Sequence, residues 1–357
     1  MRAYYISNKY DGCYYVRCLL PLIHNGWNGA KRSLEGEQDS NEKMFDEAMK
    51  ADVIVFQRPD TNDKTQAIEL LKRAGKKVVF DNDDTYRPDS GFPKLNEVKN
   101  AEEANRINEE LYKNVKQADL VTTTTKFLAD EYRPLNKNVV ILPNCIDPFD
   151  WDEPLRNEGD KVRIGLVGSV AFGDYQIISE YIKSLCKRDD VTVVMFSLAN
   201  FEKKLVKGNA FAETYRKLYR ESLGFVKSNN IEWQQLVPMS EYPDTLNNLK
   251  LDIMLIPRLE TYFNKCKSNV KYLEAGMCEI PVIASSFSDN NSPYDDDING
   301  ENGLLAKTEK EWIEHTERLI KDKKLRREIG RKAKEYTLKN YNIEDKYHLW
   351  YDAYSKI

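Results

Sequence analysis

Residues 271–285, KYLEAGMCEIPVIAS, join two sequence patterns that together indicate an α/β fold. The first half is typical of a helix that ends near Gly276. The second half contains the short apolar run Pro-Val-Ile-Ala at 281–284, which is typical of a buried parallel strand. A helix that leads directly into such a strand is the repeating unit of a parallel sheet covered by helices.

The same alternation extends outward in both directions from this stretch. Short apolar runs separated by helical segments lie after residue 160, at 162–167, 191–196, 231–233, 253–256 and 282–284. A first series precedes it, at 3–6, 53–56, 78–80, 120–122 and 139–142. A proline-containing stretch after Pro143, with a Glu-Gly-Asp turn at 158–160, separates the two series. The pattern predicts two consecutive Rossmann-like units.

We therefore predict an α/β protein with two Rossmann-like domains whose parallel sheets face a central cleft. The predicted N-terminal domain spans residues 1–155 and the C-terminal domain spans residues 156–335. A helix within residues 336–357 is expected to pack back toward the N-terminal domain. The length of 357 residues fits two domains better than a single core.

Composition excludes several classes of protein. The formal net charge of -4 gives no basic excess of the kind that drives binding along nucleic acids. The six cysteines form no CxxC pair, and the three histidines do not complete a zinc pattern, so no metal site is predicted. With no apolar run near 18 residues and no apolar leader, we expect a cytoplasmic protein with reduced thiols and no transmembrane segment.

The helix at 271–285 carries the first candidate site. Lys267, Lys271 and Glu274 are spaced i, i+4 and i+7, which predicts that they share one helical face. Ser268 or Asn269 could cap the helix, whose N-terminus, together with Lys267 and Lys271, would favour a diphosphate. Glu274 suits a bidentate hydrogen bond to ribose hydroxyls. The alternative is a solvent-exposed row of salt bridges.

Three further positions follow strand ends in the second domain. Arg258 follows the apolar run at 253–256 and is expected to accompany the lysines. Gly168 and Ser169 form a small-residue turn where backbone N–H groups can approach a phosphate, although such a turn can also be purely structural. Tyr294, in the loop after the next strand, is a candidate contact to phosphate or base.

Three segments, two in the second half of the chain and one in the first, carry a family resemblance. Residues 271–285 resemble the donor-site motif of retaining glycosyltransferase family 4, also called glycosyltransferase group 1. Residues 298–305 are similar to its Gly-x-x-Gly-Leu-Leu turn, and Pro-Asn-Cys-Ile-Asp at 143–147 is similar to its domain-junction motif. The resemblance implies a GT-B fold, with a nucleoside-diphosphate sugar in the C-terminal domain and the acceptor in the N-terminal domain. It also implies retention at the anomeric carbon without a catalytic metal.

The resemblance assigns the candidate residues their roles. Glu274 would bind the donor, while Arg258, Lys267 and Lys271, with Ser268, would neutralise the leaving diphosphate. Cys266 stands where many members carry the first of two glutamates. This departure leaves open a noncatalytic nucleotide-binding subunit with the same fold.

The first domain offers candidates for the acceptor. Asp81, Asp83 and Asp84 follow a predicted strand, so Asp83 or Asp84 could orient the acceptor or remove its proton. The alternatives are a loop-capping role or an Asp-x-Asp site for Mn or Mg through Asp81 and Asp83, as in metal-dependent GT-A transferases. The metal alternative is disfavoured because the second domain already offers cations for a diphosphate.

Three residues after the first two strands complete the predicted acceptor site. Tyr14 and Arg17 lie in the segment that follows the first strand, and Arg58 follows the second. Each therefore sits where ligands bind in open parallel sheets. A structural ion pair is the alternative for Arg58.

The predicted activity is transfer of a hexosyl or pentosyl group from a nucleotide sugar to an acceptor hydroxyl. UDP or GDP is favoured as the nucleotide, with no cofactor besides this co-substrate. A glycan, a lipid-linked sugar or another hydroxyl compound is the expected acceptor, and a nucleic-acid acceptor is not favoured. A sugar-nucleotide epimerase or phosphorylase remains an alternative, and peripheral attachment to the inner membrane face is left open.

Overall fold

The computed structural model describes residues 1–7, 11–29, 40–91, 101–168, 174–196, 230–235 and 237–357. At 41 and 101–104 it describes the backbone alone. The chain divides into two compact units. Unit 1 comprises Met1–Asp147, Cys266–Ser268 and Tyr341–Ile357, and unit 2 comprises Pro148–Lys265 and Asn269–Asn340. These divisions fall after 147 and 340, whereas the sequence suggested divisions after 155 and 335.

Unit 1 is built on a six-stranded parallel sheet with the order β2-β1-β3-β4-β5-β6. Its strands are β1 (Ala3–Ile6), β2 (Asn28–Gly29), β3 (Val53–Gln57), β4 (Lys77–Asn82), β5 (Leu120–Thr123) and β6 (Val139–Ile141). The helices are α1 (Gly12–Tyr14), α2 (Leu20–His24), α3 (Asn41–Lys50), α4 (Asn62–Arg73), α5 (Ala101–Gln117), α6 (Lys126–Tyr132), α13 (Ile343–Lys346) and α14 (His348–Tyr354). A π-helical turn, Tyr15–Leu19, connects α1 to α2.

Both faces of this sheet are covered, which explains why its central strands are built around continuous apolar runs such as 53–56 and 78–80. Every residue of β3 is buried. On one face, Tyr5 and Trp27 pack with Trp350 and Tyr354 of the C-terminal helix α14. The end of the chain therefore supplies part of the core of unit 1.

Unit 2 repeats the architecture with the strand order β12-β11-β10-β7-β8-β9. Its strands are β7 (Val162–Val167), β8 (Val191–Phe196), β9 (Ile231–Gln234), β10 (Ile253–Ile256), β11 (Val282–Ser285) and β12 (Leu304–Ala306), and all described pairings are parallel. Its helices are α7 (Ser179–Leu185), α8 (Tyr242–Asn248), α9 (Tyr262–Lys265), α10 (Val270–Met277), α11 (Glu309–Lys321) and α12 (Lys323–Tyr341).

Close helix packing holds α10 in place. A Cβ on Gly276 of α10 would lie 2.6 Å from Thr337 Oγ1 of α12. A Cβ on Gly330 of α12 would lie 1.9 Å from the carbonyl oxygen of Glu279, just after α10. The two glycines therefore allow the backbones of these elements to approach more closely than any larger residue would permit.

Each sheet reverses its winding direction at one point. In unit 1 the chain leaves β1 for β2 on one side and later continues at β3 on the other, and in unit 2 the equivalent point lies between β7 and β10. Ligands of open parallel sheets bind beside the carboxyl ends of the strands that flank such a point. Within the described ranges, no helix has both the length and the apolar character needed to cross a bilayer.

Candidate functional site

Gly168 and Arg258 flank the point where the sheet of unit 2 reverses. Gly168 follows β7 with φ +101°, and its N–H donates to the carbonyl oxygen of Phe196 at the end of β8 (3.3 Å). Arg258 follows β10, and its N–H donates to Ser285 Oγ at the end of β11 (2.7 Å). These bonds join the end of β7 to that of β8 and the end of β10 to that of β11, along one edge of this sheet. Ser169 lies outside the described residues.

Lys271, Glu274 and Tyr242 form a hydrogen-bonded triangle. Lys271 Nζ lies 2.9 Å from Glu274 Oε2 and 3.1 Å from the Tyr242 hydroxyl. The Tyr242 hydroxyl donates to the same Glu274 oxygen at 2.7 Å. Both charged side chains are largely buried, at 19% and 10% exposure, so this is not the solvent-exposed salt-bridge row considered from the sequence.

Lys271 lies directly over the turn at Gly168. A Cβ built on Gly168 would be 2.6 Å from Lys271 Cε and 3.1 Å from Nζ. The missing side chain at position 168 therefore leaves the space that the lysine occupies. This contact joins the small-residue turn and the lysine into one site at the end of β7.

Arg258 has a second set of partners at the same sheet edge. Its Nη1 lies 3.2 Å from Asp174 Oδ2, and Asp174 also accepts hydrogen bonds from the Leu259 N–H and the Asn264 amide, both at 2.8 Å. Burial raises the pKa of Asp174, although the Arg258 guanidinium opposes this rise. Asp174 therefore orients the arginine through a well-bonded but desolvated carboxylate.

Tyr294 is fully buried beside Arg258. Burial raises the pKa of the Tyr294 phenol, and the nearby guanidinium offsets only part of that rise. In the described part of the chain, Arg258 Nε and the Tyr294 hydroxyl are both buried without a hydrogen-bond partner of acceptable geometry. The two groups nevertheless interact with each other, so the Tyr294 phenol forms part of the immediate surroundings of the Arg258 guanidinium.

Two details predicted for α10 are wrong. The helix begins at Val270, so Lys267 precedes it and does not share a helical face with Lys271 and Glu274. Asn269 occupies the N-cap position, but its side chain makes no capping bond and donates instead to Asp297 (2.7 Å). Ser268 does not cap the helix either, since its hydroxyl accepts from the Asn144 amide (2.9 Å).

Lys267 belongs to a charged cluster in unit 1. Its ammonium group pairs with Asp84, and Arg58 pairs with Asp83 (2.6 Å) and Asp84 (3.2 Å). Arg58 has a left-handed backbone with φ 49°, and its N–H donates to the Asp81 carbonyl oxygen (2.9 Å). A non-glycine residue held in this conformation at a strand end is typical of functional sites.

In this cluster the carboxylates of Asp83 and Asp84 pair with the cations of Arg58 and Lys267. Asp83 is buried, and burial disfavours its charged form, but Arg58 and the other neighbouring donors and cations together outweigh that effect, and the pKa of Asp83 is lowered. Asp83 is therefore a carboxylate rather than a proton donor at neutral pH. Among the residues that the structure describes, no group of three or more His, Cys, Asp or Glu side chains is arranged to hold a metal ion.

Arg17 and Tyr14 lie in environments that do not favour their predicted contacts with an acceptor. Arg17 is fully buried and binds both oxygens of Asp81, at 2.6 and 3.2 Å. Its Nη1 atom donates to the Leu142 carbonyl oxygen (2.6 Å) and the Asn144 side chain (3.2 Å). Tyr14 is buried in the core of unit 1. Both residues hold the first helical segment against the sheet.

Asp81 lies in a polar row across the carboxyl end of the first sheet. The strand register aligns Gln57 of β3 with Asp81 of β4, and Asp81 with Thr122 of β5. The Thr122 hydroxyl donates to Asp81 (2.7 Å), and Ser7, just after β1, donates to Gln57 (2.6 Å). With its oxygens bound to Arg17 and Thr122, Asp81 is not poised to bind a metal together with Asp83.

Sequence reasoning missed several residues of these sites. Asp174, Tyr242 and Ser285 all contact predicted site residues in unit 2, and Asn144 contacts Arg17 and Ser268 in unit 1. Asp174 and Ser285 follow or end apolar runs, so the strand-end rule could have found them. No local pattern marks Tyr242, which reaches the site only through tertiary packing.

Comparison with known proteins agrees with this architecture. Residues 198–351 match the family model described as "Glycosyl transferase-like". Anabaena Alr3699/HepE, solved in complex with UDP-glucose, has a TM-score of 0.67 at 13% identity, with 100% of both chains covered. No curated protein matches the sequence.

Two further solved structures share the fold. A glycosyltransferase from Rickettsia africae has a TM-score of 0.60 at 12% identity, covering 99% of this chain and 97% of its own. The trehalose-6-phosphate synthase OtsA has a TM-score of 0.65 at 11% identity, covering 100% and 99%. At these identities the likeness establishes the fold alone. The protein has the GT-B fold, as predicted, and the family match supports a glycosyltransferase.

Proposed function

We propose that this protein transfers a sugar from a nucleoside-diphosphate sugar to an acceptor hydroxyl, with retention at the anomeric carbon and without a catalytic metal. The observation that carries the proposal is the set of buried charges beside the reversal point of the second sheet. Lys271 and Arg258 supply positive charge there, Glu274 supplies a carboxylate, and Gly168 lets a ligand approach the backbone.

The leaving diphosphate is the group that this site would stabilise. Cleavage of the sugar–phosphate bond leaves negative charge on the diphosphate, and fixed cations in a desolvated site stabilise such charge more strongly than water does. Arg258 is held by Asp174 with its Nε atom unpaired. The ammonium group of Lys271 would exchange part of its contact with Glu274 for a phosphate oxygen.

Glu274 is suited to the ribose of the nucleotide. A carboxylate accepts hydrogen bonds from hydroxyl groups, and this one is held in place by Lys271 and Tyr242. The complex of Alr3699/HepE with UDP-glucose supports UDP as the first nucleotide to test. GDP is the second choice.

The acceptor would bind unit 1 beside the cluster of Arg58, Asp83, Asp84 and Lys267. Asp84 is the proposed group that orients the acceptor hydroxyl, since it lies at the strand end and contacts both cations. The contacts that Arg58 and Arg17 make with Asp83 and Asp81 argue against a metal-dependent GT-A type of site.

Ligand binding and turnover with matched variants test the proposal. Purified protein is titrated with UDP, GDP, ADP and CMP, with and without EDTA, because a ligand specific to the folded state raises the melting temperature. At 100 times Kd the expected stabilisation is about 2.7 kcal/mol. In wild type, the rise in melting temperature should persist in EDTA. Glu274→Ala and Lys271→Ala should abolish this rise, whereas Lys324→Ala, a control at an exposed position, should keep it.

The opposite pattern would contradict the proposal. If the nucleotide raises the melting temperature only with a divalent metal, and this rise disappears in Asp83→Ala, the donor site would lie in unit 1. That result would favour the metal-dependent alternative. For the stereochemistry, proton NMR of the first product formed from UDP-glucose should show the α anomer. A β product would overturn retention.

One observation favours a second candidate, a noncatalytic nucleotide-binding subunit. Cys266 is fully buried, and its carbonyl oxygen accepts from Thr125 (3.2 Å), so its side chain is not presented to a ligand. The related family often carries a glutamate at this position. This candidate predicts nucleotide binding with neither transfer nor hydrolysis of the bound nucleotide sugar.

A further inference from the structure

Tyr242 is held at the candidate site by more than its hydrogen bond to Glu274. It is the first residue of α8, and its ring stacks on Phe196, with centroids 5.5 Å apart and planes 20° apart. Phe196 ends β8 and is buried. The tyrosine is therefore fixed by an aromatic neighbour of the sheet edge rather than by its hydroxyl alone.

The hydroxyl of Tyr242 makes the two oxygens of Glu274 unequal. Both Tyr242 and Lys271 contact Oε2, at 2.7 and 2.9 Å. Within the described ranges, no hydrogen bond reaches the other oxygen, Oε1. One oxygen of the carboxylate is thus held by the protein, and the other is the one that we assign to a ligand.

The ring also supports Lys271. The lysine Nζ lies 5.1 Å from the centroid of the Tyr242 ring and 3.1 Å from its hydroxyl. A cation near an aromatic face is attracted to it, so the ring limits where the ammonium group can move. The same residue therefore restrains both the carboxylate and the cation.

The Tyr242 hydroxyl retains its proton at neutral pH. Burial, followed by the negative charge of Glu274, raises the pKa of Tyr242 well above its ordinary value. The hydroxyl is consequently protonated at neutral pH and can donate to Glu274.

We propose that Tyr242 is a positioning residue that fixes Glu274 so that Oε1 recognises a ribose hydroxyl, making the protein selective for ribonucleotides over deoxyribonucleotides. The inference rests on the proposed nucleotide-sugar function and deepens it. Without the Tyr242 hydroxyl, the carboxylate would keep its charge but lose one of the two contacts that set its orientation. Selectivity for the ribose should then fall more than affinity for the diphosphate.

The test compares Tyr242→Phe with wild type by calorimetric titration of UDP, 2′-deoxy-UDP and 3′-deoxy-UDP. Wild type should prefer UDP over at least one deoxy analogue by on the order of 10-fold, the value expected for a hydrogen bond to a charged group. In Tyr242→Phe this preference should fall to about 2-fold, since the phenylalanine retains the stacking but not the hydroxyl. Glu274→Gln should lower the preference as well.

Tyr181→Phe is the matched control. Tyr181 is a buried tyrosine of unit 2 whose hydroxyl donates to Glu317 (3.1 Å), away from the candidate site. This variant loses the same kind of hydrogen bond and should keep the wild-type preference. A general loosening of unit 2 would instead affect both variants alike.

Each outcome decides between the inference and the function on which it rests. If Tyr242→Phe keeps the wild-type preference while Glu274→Gln loses it, the role of Tyr242 is wrong and the donor site stands. If wild type binds UDP and both deoxy analogues equally, Glu274 does not recognise ribose and the inference fails. If UDP does not bind at all, both the proposed UDP site and the inference on Tyr242 fail.

Discussion

Gly168 shows how a single residue can determine the geometry of the candidate site. Its φ of +101° lies in a region that other L-residues rarely adopt, and Lys271 occupies the space where a side chain would begin. The glycine therefore has two effects: it allows the backbone turn after β7, and it leaves space for the Lys271 side chain. These two effects can be separated by experiment.

Gly168→Ala should weaken UDP binding because the added Cβ would displace Lys271. It would lie only 2.6 Å from the Lys271 Cε atom. Losing one charge-assisted contact should reduce affinity on the order of 10-fold, measured by calorimetry. Gly300→Ala is the control, since Gly300 has a similar φ of +89° but nothing within 4 Å of the added Cβ. Equal losses of affinity in the two variants would show that backbone strain, not displacement of Lys271, is responsible.

Arg258 and Arg17 show why residue type alone does not separate function from structure. Both arginines pair with a buried carboxylate, Asp174 or Asp81. Arg17 uses its Nε and both Nη groups on protein acceptors, whereas Arg258 Nε remains buried and unpaired among the described residues. The set of partners, rather than the residue type, therefore makes Arg258 the better candidate for contact with a ligand.

At the scale of elements, α10 is placed by its contact with α12. Gly330 meets the backbone just after α10 so closely that an added Cβ would lie 1.9 Å from the Glu279 carbonyl oxygen. The obstacle is backbone rather than a flexible side chain, so the helices themselves would have to separate. Because α10 carries Lys271 and Glu274, helix packing determines where these side chains lie.

Gly330→Ala should therefore destabilise unit 2 by about 1–3 kcal/mol, as overpacking does elsewhere, despite the better helix propensity of alanine. Urea unfolding monitored by circular dichroism measures the change. Lys324→Ala, at an exposed position of α12, should change stability by less than about 0.5 kcal/mol. A Gly330→Ala protein as stable as wild type would mean that α10 and α12 separate without cost.

At the scale of the whole molecule, the chain returns to unit 1 after building unit 2. Tyr341–Ile357 belongs to unit 1, where Trp350 is fully buried among Tyr5, Val53 and Leu142. The core of unit 1 is therefore completed by a segment that follows its main segment, Met1–Asp147, only after unit 2 has been built. Its stability depends on the last residues of the chain.

Trp350→Ala should destabilise unit 1 by about 3–5 kcal/mol through the cavity it creates. Hydrogen exchange resolved by peptide should show faster exchange in β1, β3 and β4, with protection of β7 and β10 retained. Tyr351→Ala, at the adjacent and 45% exposed position, serves as the control and should leave exchange unchanged. Equally fast exchange in both units would show that they unfold together.

The sequence by itself determined the two parallel sheets and the segment, residues 271–285, in which α10 leads into β11. Apolar runs buried on both faces can be recognised locally, because every residue of strands such as β3 and β8 must avoid water. The strand-end rule likewise identified Gly168, Arg58 and Arg258 as residues near the reversal points. The GT-B fold was predicted correctly for this reason.

Only the tertiary structure decided which of these residues act together. Lys267 and Lys271 are four residues apart, yet the start of α10 at Val270 leaves one paired with Asp84 and the other with Glu274. Tyr242 reaches Glu274 across 32 positions of sequence, and Arg17 reaches Asp81 across 64. Such pairings depend on helix starts, strand register and long-range packing, and no local pattern in the sequence records them.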